Sequence, residues 1–305
     1  MIGDAALPYA IGVDGGGTKT LAIVVDAQGN ERGRGSAGSA SHTGIGIEKA
    51  IYHIRGAIEQ AVYHAGCSLP LQSAWFGIGG IDGPDDYNLL LPHLQSLAHN
   101  VRLTNDGDLV LSALPDTVGI ALIAGTGSIA LGRDAQGSSV RAGGWGHLIG
   151  DEGSGYDLSR RCLQAVAKAE DGRGPATALT KMVLEQWKLD NANDIIGKVY
   201  NASDKAVLAA LSPLVCTAAR NGDEVACGIV EDAARELAQA LVAVKNRLNF
   251  PDKPVPLALG GGLVLREASF REMVIHELSK HVSIGDVMLV EEPALSAARA
   301  ALICT

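Results

Sequence analysis

The sequence is poor in aromatic residues, in charge and in cysteine. Of its 305 residues, 4% are aromatic and 19% are charged, whereas 47% are hydrophobic. This composition excludes a disordered chain and is typical of a compact protein, and the length allows two domains of ordinary size. Lys and Arg number 25 against 34 Asp and Glu, which gives a net charge of −9. Because no run of basic residues occurs, we do not expect a nucleic acid partner.

The cysteines are few and lie far apart. No Cys-x-x-Cys pair occurs, so the sequence predicts neither a disulfide framework nor a zinc or iron–sulfur site. No uninterrupted apolar run reaches about 18 residues, and no apolar leader follows a basic segment at the N-terminus. We therefore expect a cytoplasmic protein without a membrane partner. The five cysteines are Cys67, Cys162, Cys216, Cys227 and Cys304.

A short segment of the chain occurs twice. Gly17 to Gly29 reads GTKTLAIVVDAQG and Gly125 to Gly137 reads GTGSIALGRDAQG, at a constant offset of 108 (125 − 17), with seven of thirteen positions identical. In each copy an apolar run enters a turn of Gly, Thr or Ser, and a second apolar run ends at Asp-Ala-Gln-Gly. The repeat predicts two related halves, each with a strand–turn–strand unit that faces the same polyphosphate.

Strands alternate with helices in both halves, which predicts an α/β protein. We expect the boundary between the halves near Pro115 to Gly119. The spacing of apolar residues predicts helices over Ile45 to Ala65 and Leu89 to Leu97, and a mostly helical region over Thr177 to Asn249. A short strand over Val101 to Thr104 is expected to deliver Asn105 and Asp106 at its end.

The first turn has the composition of a phosphate-binding loop. The glycines Gly15, Gly16 and Gly17 allow backbone N–H groups to approach phosphate oxygens, and Thr18 adds a hydroxyl donor. Asp14 has the chemistry to hold Mg²⁺ through its waters. A Gly-rich turn on its own is also common as a purely structural feature, but its pairing with Gly125 to Ser128 favours phosphate binding.

Asp106 has two possible roles. An Asp before Gly is commonly a turn or helix-cap residue. The functional alternative is a general base that accepts the proton of an attacking hydroxyl during phosphoryl transfer, and its position between the two turns favours this role. We interpret the neighbouring Asp108 as a cap.

The segment from Gly143 to Ser154 is the densest group of candidate residues. Glycines around Trp145 suit contact with a flat polar ligand, and Asp151 and Glu152 have the oxygens to accept hydroxyl protons from a sugar. The alternative is a tight loop in which Ser154 caps the next helix, and we expect that cap as well. His147 on its own is interpreted as a packing residue.

Together these motifs resemble the N-acetylglucosamine kinase branch of the BadF/BadG/BcrA/BcrD ATPases, which are related to benzoyl-CoA reductase activators, in the actin, sugar-kinase and heat-shock-chaperone superfamily. The resemblance covers nearly the whole chain. It depends on five motifs in order: Asp14 to Thr18, Asn105-Asp106, Gly125 to Ser128, Gly143 to Ser154 and Gly260 to Gly262.

The resemblance implies an ATP- and Mg²⁺-dependent sugar kinase with two ribonuclease-H-like (actin-like ATPase) domains. The partners that it implies are a small sugar and a second copy of the chain in a homodimer. It places one domain at residues 1–117, joined by the C-terminal helix 291–305, and the other, with a helical insertion, at 118–290. It implies Asp106 as the base and Asp14 as the metal ligand. The implied nucleotide-binding residues are Gly15, Gly16, Gly17, Thr18, Lys19, Thr126, Gly127, Gly261 and Gly262. The implied sugar-binding residues are Ser41, Asn105, Asp106, Ser128, Gly144, Trp145, Gly146 and Asp151.

Two positions depart from the amino-sugar pattern. Members similar to N-acetylglucosamine kinases carry Asn where this chain has Ser41 and Ile129. The most favoured substrate is N-acetyl-D-glucosamine at its 6-hydroxyl, and glucosamine, N-acetylmannosamine and glucose stay open. Two other function classes also stay open: an ATP-driven activator of a reductase or dehydratase, which would need closely spaced cysteines, and a non-catalytic sugar sensor.

Overall fold

The computed structural model describes residues 9–81, 83–202, 204–251 and 253–303. The chain divides into two compact units, each with its own five-stranded sheet. Unit 1 comprises Met1–Thr117 and Glu292–Thr305, and unit 2 comprises Val118–Glu291. Within the described residues no helix is both long enough and apolar enough to cross a lipid bilayer.

The sheet of unit 1 has the order β3-β2-β1-β4-β5. The first three strands form two antiparallel pairs, whereas β1 pairs with β4, and β4 with β5, in parallel. The strands are β1 (Ala10–Gly15), β2 (Thr20–Val25), β3 (Glu31–Ala37), β4 (Leu71–Ile78) and β5 (Ala98–Thr104).

The sheet of unit 2 has the order β10-β9-β6-β7-β8. Its antiparallel pairs β6–β7 and β7–β8 and its parallel pairs β6–β9 and β9–β10 repeat the pattern of unit 1. The α/β prediction with two related halves is therefore confirmed. The strands are β6 (Gly119–Ala124), β7 (Ser128–Arg133), β8 (Ser139–Gly143), β9 (Val255–Gly260) and β10 (Ile284–Val290).

The helices lie mainly in the crossovers between parallel strands, and unit 2 has a run of six between β8 and β9. The long helix α10 buries one apolar face in the core of unit 2, as the spacing of its apolar residues predicts. The helices are α1 (His42–Ile45), α2 (Ile47–Ala65), α3 (Pro84–Leu94), α4 (Asp108–Leu111), α5 (Gly155–Glu170), α6 (Leu179–Trp187), α7 (Asp194–Tyr200), α8 (Lys205–Ala209), α9 (Ser212–Arg220), α10 (Glu224–Asn246), α11 (Gly262–Arg266), α12 (Ala268–Ser279) and α13 (Pro293–Ala301).

One predicted helix has different bounds in the structure. The expected helix over Leu89 to Leu97 begins earlier, at Pro84, and ends at Leu94. Proline at the start of a helix and carboxylates in its first turn are start signals, and Pro84 is followed by Asp85 and Asp86. These local signals outweigh the apolar spacing on which the prediction was based.

The two Asp-Ala-Gln-Gly turns have the same geometry. Oδ1 of Asp26 accepts the backbone N–H groups two and four residues later, both at 3.0 Å. Oδ1 of Asp134 accepts the equivalent groups at 3.1 and 2.9 Å. Burial opposes the ionisation of both carboxyl groups, but hydrogen bonds outweigh it and hold the pKa of each below its usual value. For Asp26 these are the bonds of the turn, and for Asp134 the N–H of Asn249 contributes first, followed by the bonds of the turn. The Asp-Ala-Gln-Gly part of the sequence repeat therefore has the same hydrogen bonds in both units.

Strand β1 is fixed by a close contact with the C-terminal helix. A Cβ atom on Gly12 would lie 2.0 Å from the carbonyl oxygen of Ala294 and 2.5 Å from the nitrogen of Ala298. Only glycine allows the backbone of α13 to approach β1 this closely. The neighbouring alanines of α13 are fully buried against the sheet. The helix thus fixes the strand that carries Asp14.

Candidate active site

Three parallel strands of unit 1 end at the same edge of the sheet, and candidate carboxylates lie at the ends of two of them. Asp14 lies in β1, Gly79 directly follows β4, and Asp106 follows β5. The N–H of Gly79 donates to the carbonyl of Gly15 at 2.8 Å. A Cβ atom on Gly79 would lie 3.2 Å from Oδ2 of Asp106. The carboxyl ends of these strands, where α/β proteins commonly bind ligands, therefore carry both predicted carboxylates.

Asp14 and Asp106 are close enough to affect each other electrostatically. Burial raises the pKa of Asp14 from 3.8 to about 6, repulsion by Asp106 adds to the increase, and attraction by Lys19 opposes it. The surroundings of Asp14 therefore oppose its negative charge, as is common for carboxylates at functional sites.

Asn105 and Asp106 also shape the turn after β5. The N–H of Gly107 donates to Oδ1 of Asn105 and to Oδ1 of Asp106, both at 3.0 Å. Nδ2 of Asn105 donates to the carbonyl of Ile81 at 3.1 Å. The turn role considered for Asp106 is therefore present in the structure, while its Oδ2 faces Gly79. Asp108 is the first residue of α4 and not its N-cap, which is Gly107.

The turn between β1 and β2 projects its central residues into solvent. The N–H of Gly16 donates to the carbonyl of Lys19 at 3.0 Å and closes the turn. Between them, Gly17 and Thr18 are exposed, as is Lys19. Thr20, the first residue of β2, is buried and donates its hydroxyl to Gly38 O at 2.7 Å. The turn is thus anchored at its ends and accessible in its middle.

The segment that contains Ser41 lies beside the loop after β4. The hydroxyl of Ser41 is 3.1 Å from Oγ1 of Thr43. A Cβ atom on Gly80 would lie 3.1 Å from the same Oγ1. Nε2 of the buried His42 is 2.9 Å from Oδ1 of Asp86. Nδ1 of His42 is buried and has no hydrogen-bond partner among the residues that the structure describes. Sequence reasoning did not single out His42 or Thr43.

The equivalent turn of unit 2 is bonded to the start of α5. The N–H of Gly125 donates to the carbonyl of Gly127 at 2.9 Å. The N–H of Gly155 donates to the carbonyl of Gly125 at 2.7 Å, and the N–H of Tyr156 to that of Thr126 at 3.2 Å. Ser154 caps the helix by accepting the N–H of the residue three positions on, which confirms the predicted cap.

Asp151 lies directly against this turn. It is 4% exposed, and its backbone is in the left-handed region, with φ of 59°, which is costly for a residue other than glycine. Its Oδ1 accepts the N–H of Ser128 at 3.2 Å, and its Oδ2 is 3.5 Å from Nζ of Lys205. A Cβ atom on Gly127 would lie 2.9 Å from each carboxylate oxygen. The hydroxyl of Ser128 donates to Glu152 O at 2.7 Å.

Trp145 presents most of its ring to solvent at 64% exposure. The guanidinium of Arg141 lies 5.2 Å from the centre of that ring. The glycines on either side, Gly144 and Gly146, have φ of 71° and 82°. A Cβ atom on Gly144 would lie 2.7 Å from Cδ1 of Ile129, so the backbone at Gly144 packs closely against that side chain. His147 packs edge-on against an aromatic ring, with ring centres 5.0 Å apart, as expected of a packing residue.

Gly261 and Gly262 adjoin the same turn from β9. Gly261 has φ of 90°, and a Cβ atom on it would lie 2.5 Å from the carbonyl oxygen of Ala124. Nothing lies within 4 Å of a Cβ atom built on Gly262, and its nitrogen is 3.4 Å from one built on Gly125. The candidate nucleotide residues of unit 2 therefore cluster at the ends of β6 and β9.

Comparison with known proteins decides the family. The model of the BadF/BadG/BcrA/BcrD ATPase family matches residues 11–298. The chain belongs to this family. It is 34% identical to an N-acetylmuramic acid/N-acetylglucosamine kinase from Clostridium acetobutylicum, over 85% of this chain and 86% of that protein. It is 31% identical to an N-acetyl-D-glucosamine kinase from Dictyostelium discoideum, over 96% of this chain and 97% of that protein.

A solved structure has the same fold as this BadF/BadG/BcrA/BcrD ATPase family member. It is a candidate N-acetylglucosamine kinase from Chromobacterium violaceum, which matches with a TM-score of 0.73 at 28% identity, covering 97% of this chain and 98% of that one. The fold predicted from the resemblance is confirmed.

Within the described part of this family member, no three His, Cys, Asp or Glu side chains are grouped closely enough to bind a metal ion by themselves. Two cysteines considered for a cluster are buried. Burial raises the pKa of Cys162 to about 12, with a contribution from Asp223. Burial likewise raises the pKa of Cys216 to about 12, with Glu267 adding to the effect. Thiols held neutral in this way are poor metal ligands.

Proposed function

We propose that the protein is an ATP-dependent sugar kinase that phosphorylates N-acetyl-D-glucosamine at its 6-hydroxyl, with Asp106 as the general base. The observation that carries the proposal is the pair of interacting carboxylates, Asp14 and Asp106, at the carboxyl edge of the unit 1 sheet. The names of the two curated relatives support an amino sugar as the acceptor.

We propose phosphate-binding groups in each of the two repeated turns. Exposed backbone and hydroxyl groups in the middle of a tightly closed turn are suited to bind phosphate oxygens. In unit 2 the turn adjoins the N-terminus of α5, whose dipole favours an anion. The proposed nucleotide-binding residues are Gly15, Gly16, Gly17, Thr18, Lys19, Thr126, Gly127, Gly261 and Gly262.

The donor chemistry at Asp14 fits Mg²⁺. Its carboxylate is desolvated and repelled by Asp106, so a divalent cation would relieve an unfavourable charge. Mg²⁺ keeps several waters and commonly uses one or two carboxylates together with substrate phosphates, so a larger cluster of side chains is not required. When bound, the ion would neutralise charge on the phosphates. We propose Asp14 as its protein ligand.

The proposed sugar-binding residues are Ser41, Asn105 and Asp106 in unit 1, and Ser128, Gly144, Trp145, Gly146 and Asp151 in unit 2. Asp151 is the best supported candidate among these residues, because its carboxylate is buried and its backbone is strained. The exposed ring of Trp145 offers a flat surface for a sugar. The side chains of Asn105 and Ser128 already bond to backbone groups, so we propose that they support the site mainly by holding its loops.

Asp106 would act on the acceptor hydroxyl. Its carboxylate accepts the hydroxyl proton as the oxygen attacks the γ-phosphorus, and the bond from that phosphorus to the bridging oxygen of ADP breaks. The N–H of Gly107, which donates to Oδ1 of Asp106, restricts the orientation of this carboxylate. General base catalysis contributes about 10²- to 10⁴-fold to the rate.

The test is a substrate panel with coupled detection of ADP. N-acetylglucosamine, glucosamine, N-acetylmannosamine and glucose are compared at matched concentrations, and the position of the phosphate is read by NMR. Asp106→Asn should keep sugar and ATP binding but lose about 10²-fold or more in kcat. Asp85→Asn, which removes the same charge from an exposed position of unit 1, is the matched control. Near-normal turnover by Asp106→Asn would exclude the proposed base.

The alternative of an ATP-driven activator predicts a metal cluster. The raised pKa values of Cys162 and Cys216 disfavour thiolate ligands in unit 2. An absorbance spectrum of anaerobically purified protein tests it directly, since an iron–sulfur cluster colours the sample. The homodimer and the cytoplasmic location stay predictions, for which size-exclusion chromatography with light scattering and cell fractionation are the measurements.

A further inference from the structure

Lys205 is the one ion-pair partner of Asp151 among residues 9–81, 83–202, 204–251 and 253–303. Its Nζ lies 3.5 Å from Oδ2, while Oδ1 accepts the N–H of Ser128 at 3.2 Å. The side chain of Asp151 is 6% exposed and that of Lys205 is 37% exposed. A carboxylate buried this deeply is costly unless it is paired or hydrogen-bonded, and Lys205 and the N–H of Ser128 supply these partners.

The lysine is presented by a packed element. Helix α8 begins at Lys205, and Asp204 caps it by accepting the N–H of Ala206 at 2.9 Å. The helix packs against α5, and a Cβ atom on Gly155 would lie 3.5 Å from the carbonyl oxygen of Ala209. Gly155 is the residue whose N–H bonds to the turn of unit 2. The base of Lys205 is therefore anchored to the same turn that supports Asp151.

The two oxygens of Asp151 are held by different kinds of partner. The N–H of Ser128 belongs to β7 and fixes Oδ1 as part of the sheet, whereas the ammonium of Lys205 reaches Oδ2 from α8. The backbone of Asp151 is strained in the left-handed region, and such conformations persist only where the surroundings determine them. An ammonium 3.5 Å from Oδ2 limits the orientations that this carboxylate adopts.

We propose that Lys205 is a positioning residue: it holds the Asp151 carboxylate in the orientation in which its oxygens accept hydrogen bonds from the hydroxyl groups of the acceptor sugar. The inference rests on the proposed function, since it takes Asp151 as part of the sugar site. It also gives the helical insertion a part in sugar binding, since Lys205 belongs to α8 of that insertion and lies 54 residues beyond Asp151 in the chain.

The experiment compares Lys205→Met and Lys205→Arg with Lys198→Met as the matched control. Lys198 is an exposed lysine of the preceding helix α7, so its replacement removes the same charge from the same segment. The KM for N-acetylglucosamine, the KM for ATP and kcat are measured for each variant, and sugar affinity without ATP is measured by calorimetry. Thermal melts check that each variant is folded.

Lys205→Met should raise the KM for the sugar by about 5- to 50-fold, between the effects of an exposed and a buried ion pair. The KM for ATP should change by less than about twofold, because the ammonium pairs with Asp151 and not with the turn itself. Lys205→Arg should restore most of the sugar affinity, and Lys198→Met should match the wild type. A wild-type KM for the sugar in Lys205→Met, or equal increases in both KM values, overturns the proposal.

Asp151→Asn separates this proposal from the proposed function. In that variant the further change Lys205→Met should have little additional effect on sugar affinity, since the ammonium has lost its target. Full additivity of the two changes would overturn the positioning role. A wild-type protein that phosphorylates no sugar of the panel would instead overturn the proposed function. Unchanged sugar binding by Asp151→Asn would remove Asp151, and with it Lys205, from the sugar site.

Discussion

Replacing Asp14 by Asn should stabilise the ligand-free protein while removing its proposed metal ligand. Native Asp14 is held in an environment that disfavours its charge, first by burial and then by repulsion from Asp106. Asparagine has nearly the same shape and no charge to desolvate. A residue that costs stability in the free protein is expected where function needs the charge.

The magnitude follows from the two pKa values. A rise from 3.8 to about 6 in the native state corresponds to about 3 kcal/mol of stability that is present below the unfolded pKa and lost as the pH rises through the native pKa. Of this, about 2 kcal/mol is lost between about pH 4.5 and about pH 8. The free energy of unfolding of Asp14→Asn minus that of the wild type should therefore increase over this range and level off above about pH 7.

Urea unfolding of both proteins in EDTA, without nucleotide, measures this difference at each pH. Asp85→Asn serves as the control for an exposed carboxylate. In an Asp106→Asn background the dependence on pH should shrink but persist, because burial contributes more than repulsion. A difference that does not vary with pH would refute the reasoning, as would a wild type that gains stability over the same interval relative to Asp14→Asn.

Two further predictions concern unit 2. Gly127→Ala should raise the KM for the sugar by about tenfold or more, because the new methyl group would lie 2.9 Å from both carboxylate oxygens of Asp151 and displace them. Gly228→Ala, on an open helix surface, is the control, and equal kinetics for the two variants would contradict the prediction. Ser154→Ala should lower the free energy of unfolding by about 1 kcal/mol, since the N–H of Asp157 loses its cap. Unchanged urea unfolding would exclude an energetic role for this cap.

The repeat was the part of the fold most open to prediction from sequence. Short turns carry local signals, and the Asp-Ala-Gln-Gly pattern predicts the two turns at Asp26 and Asp134 that have matching hydrogen bonds in the structure. The bounds of α3 were not predicted, because apolar spacing was weighed above the start signal at Pro84.

The candidate site was only partly open to prediction. A carboxylate that follows a strand is visible as a pattern, which is how Asp106 was found. Lys205 is not visible as a sequence pattern, since its short helix has no motif. Its contact with Asp151 depends on how α8 packs against α5. His42 likewise has no sequence signal beyond its proximity to Ser41. Pairings between distant segments are set by packing, which no local pattern records.

The two halves share a scaffold but differ in chemistry at one position. In unit 1 the residue of β1 opposite Leu21 is Asp14, whereas in unit 2 the residue of β6 opposite Ile129 is Ile123. The strand carboxylate is thus present in one copy of the repeat, and the other copy has an apolar side chain there. Unit 2 instead brings a carboxylate to its turn from a separate segment, as Asp151. Asp151 accepts the N–H of Ser128 and so holds the start of β7, whereas burial and Asp106 oppose the charge of Asp14, a cost that the proposed cation would offset.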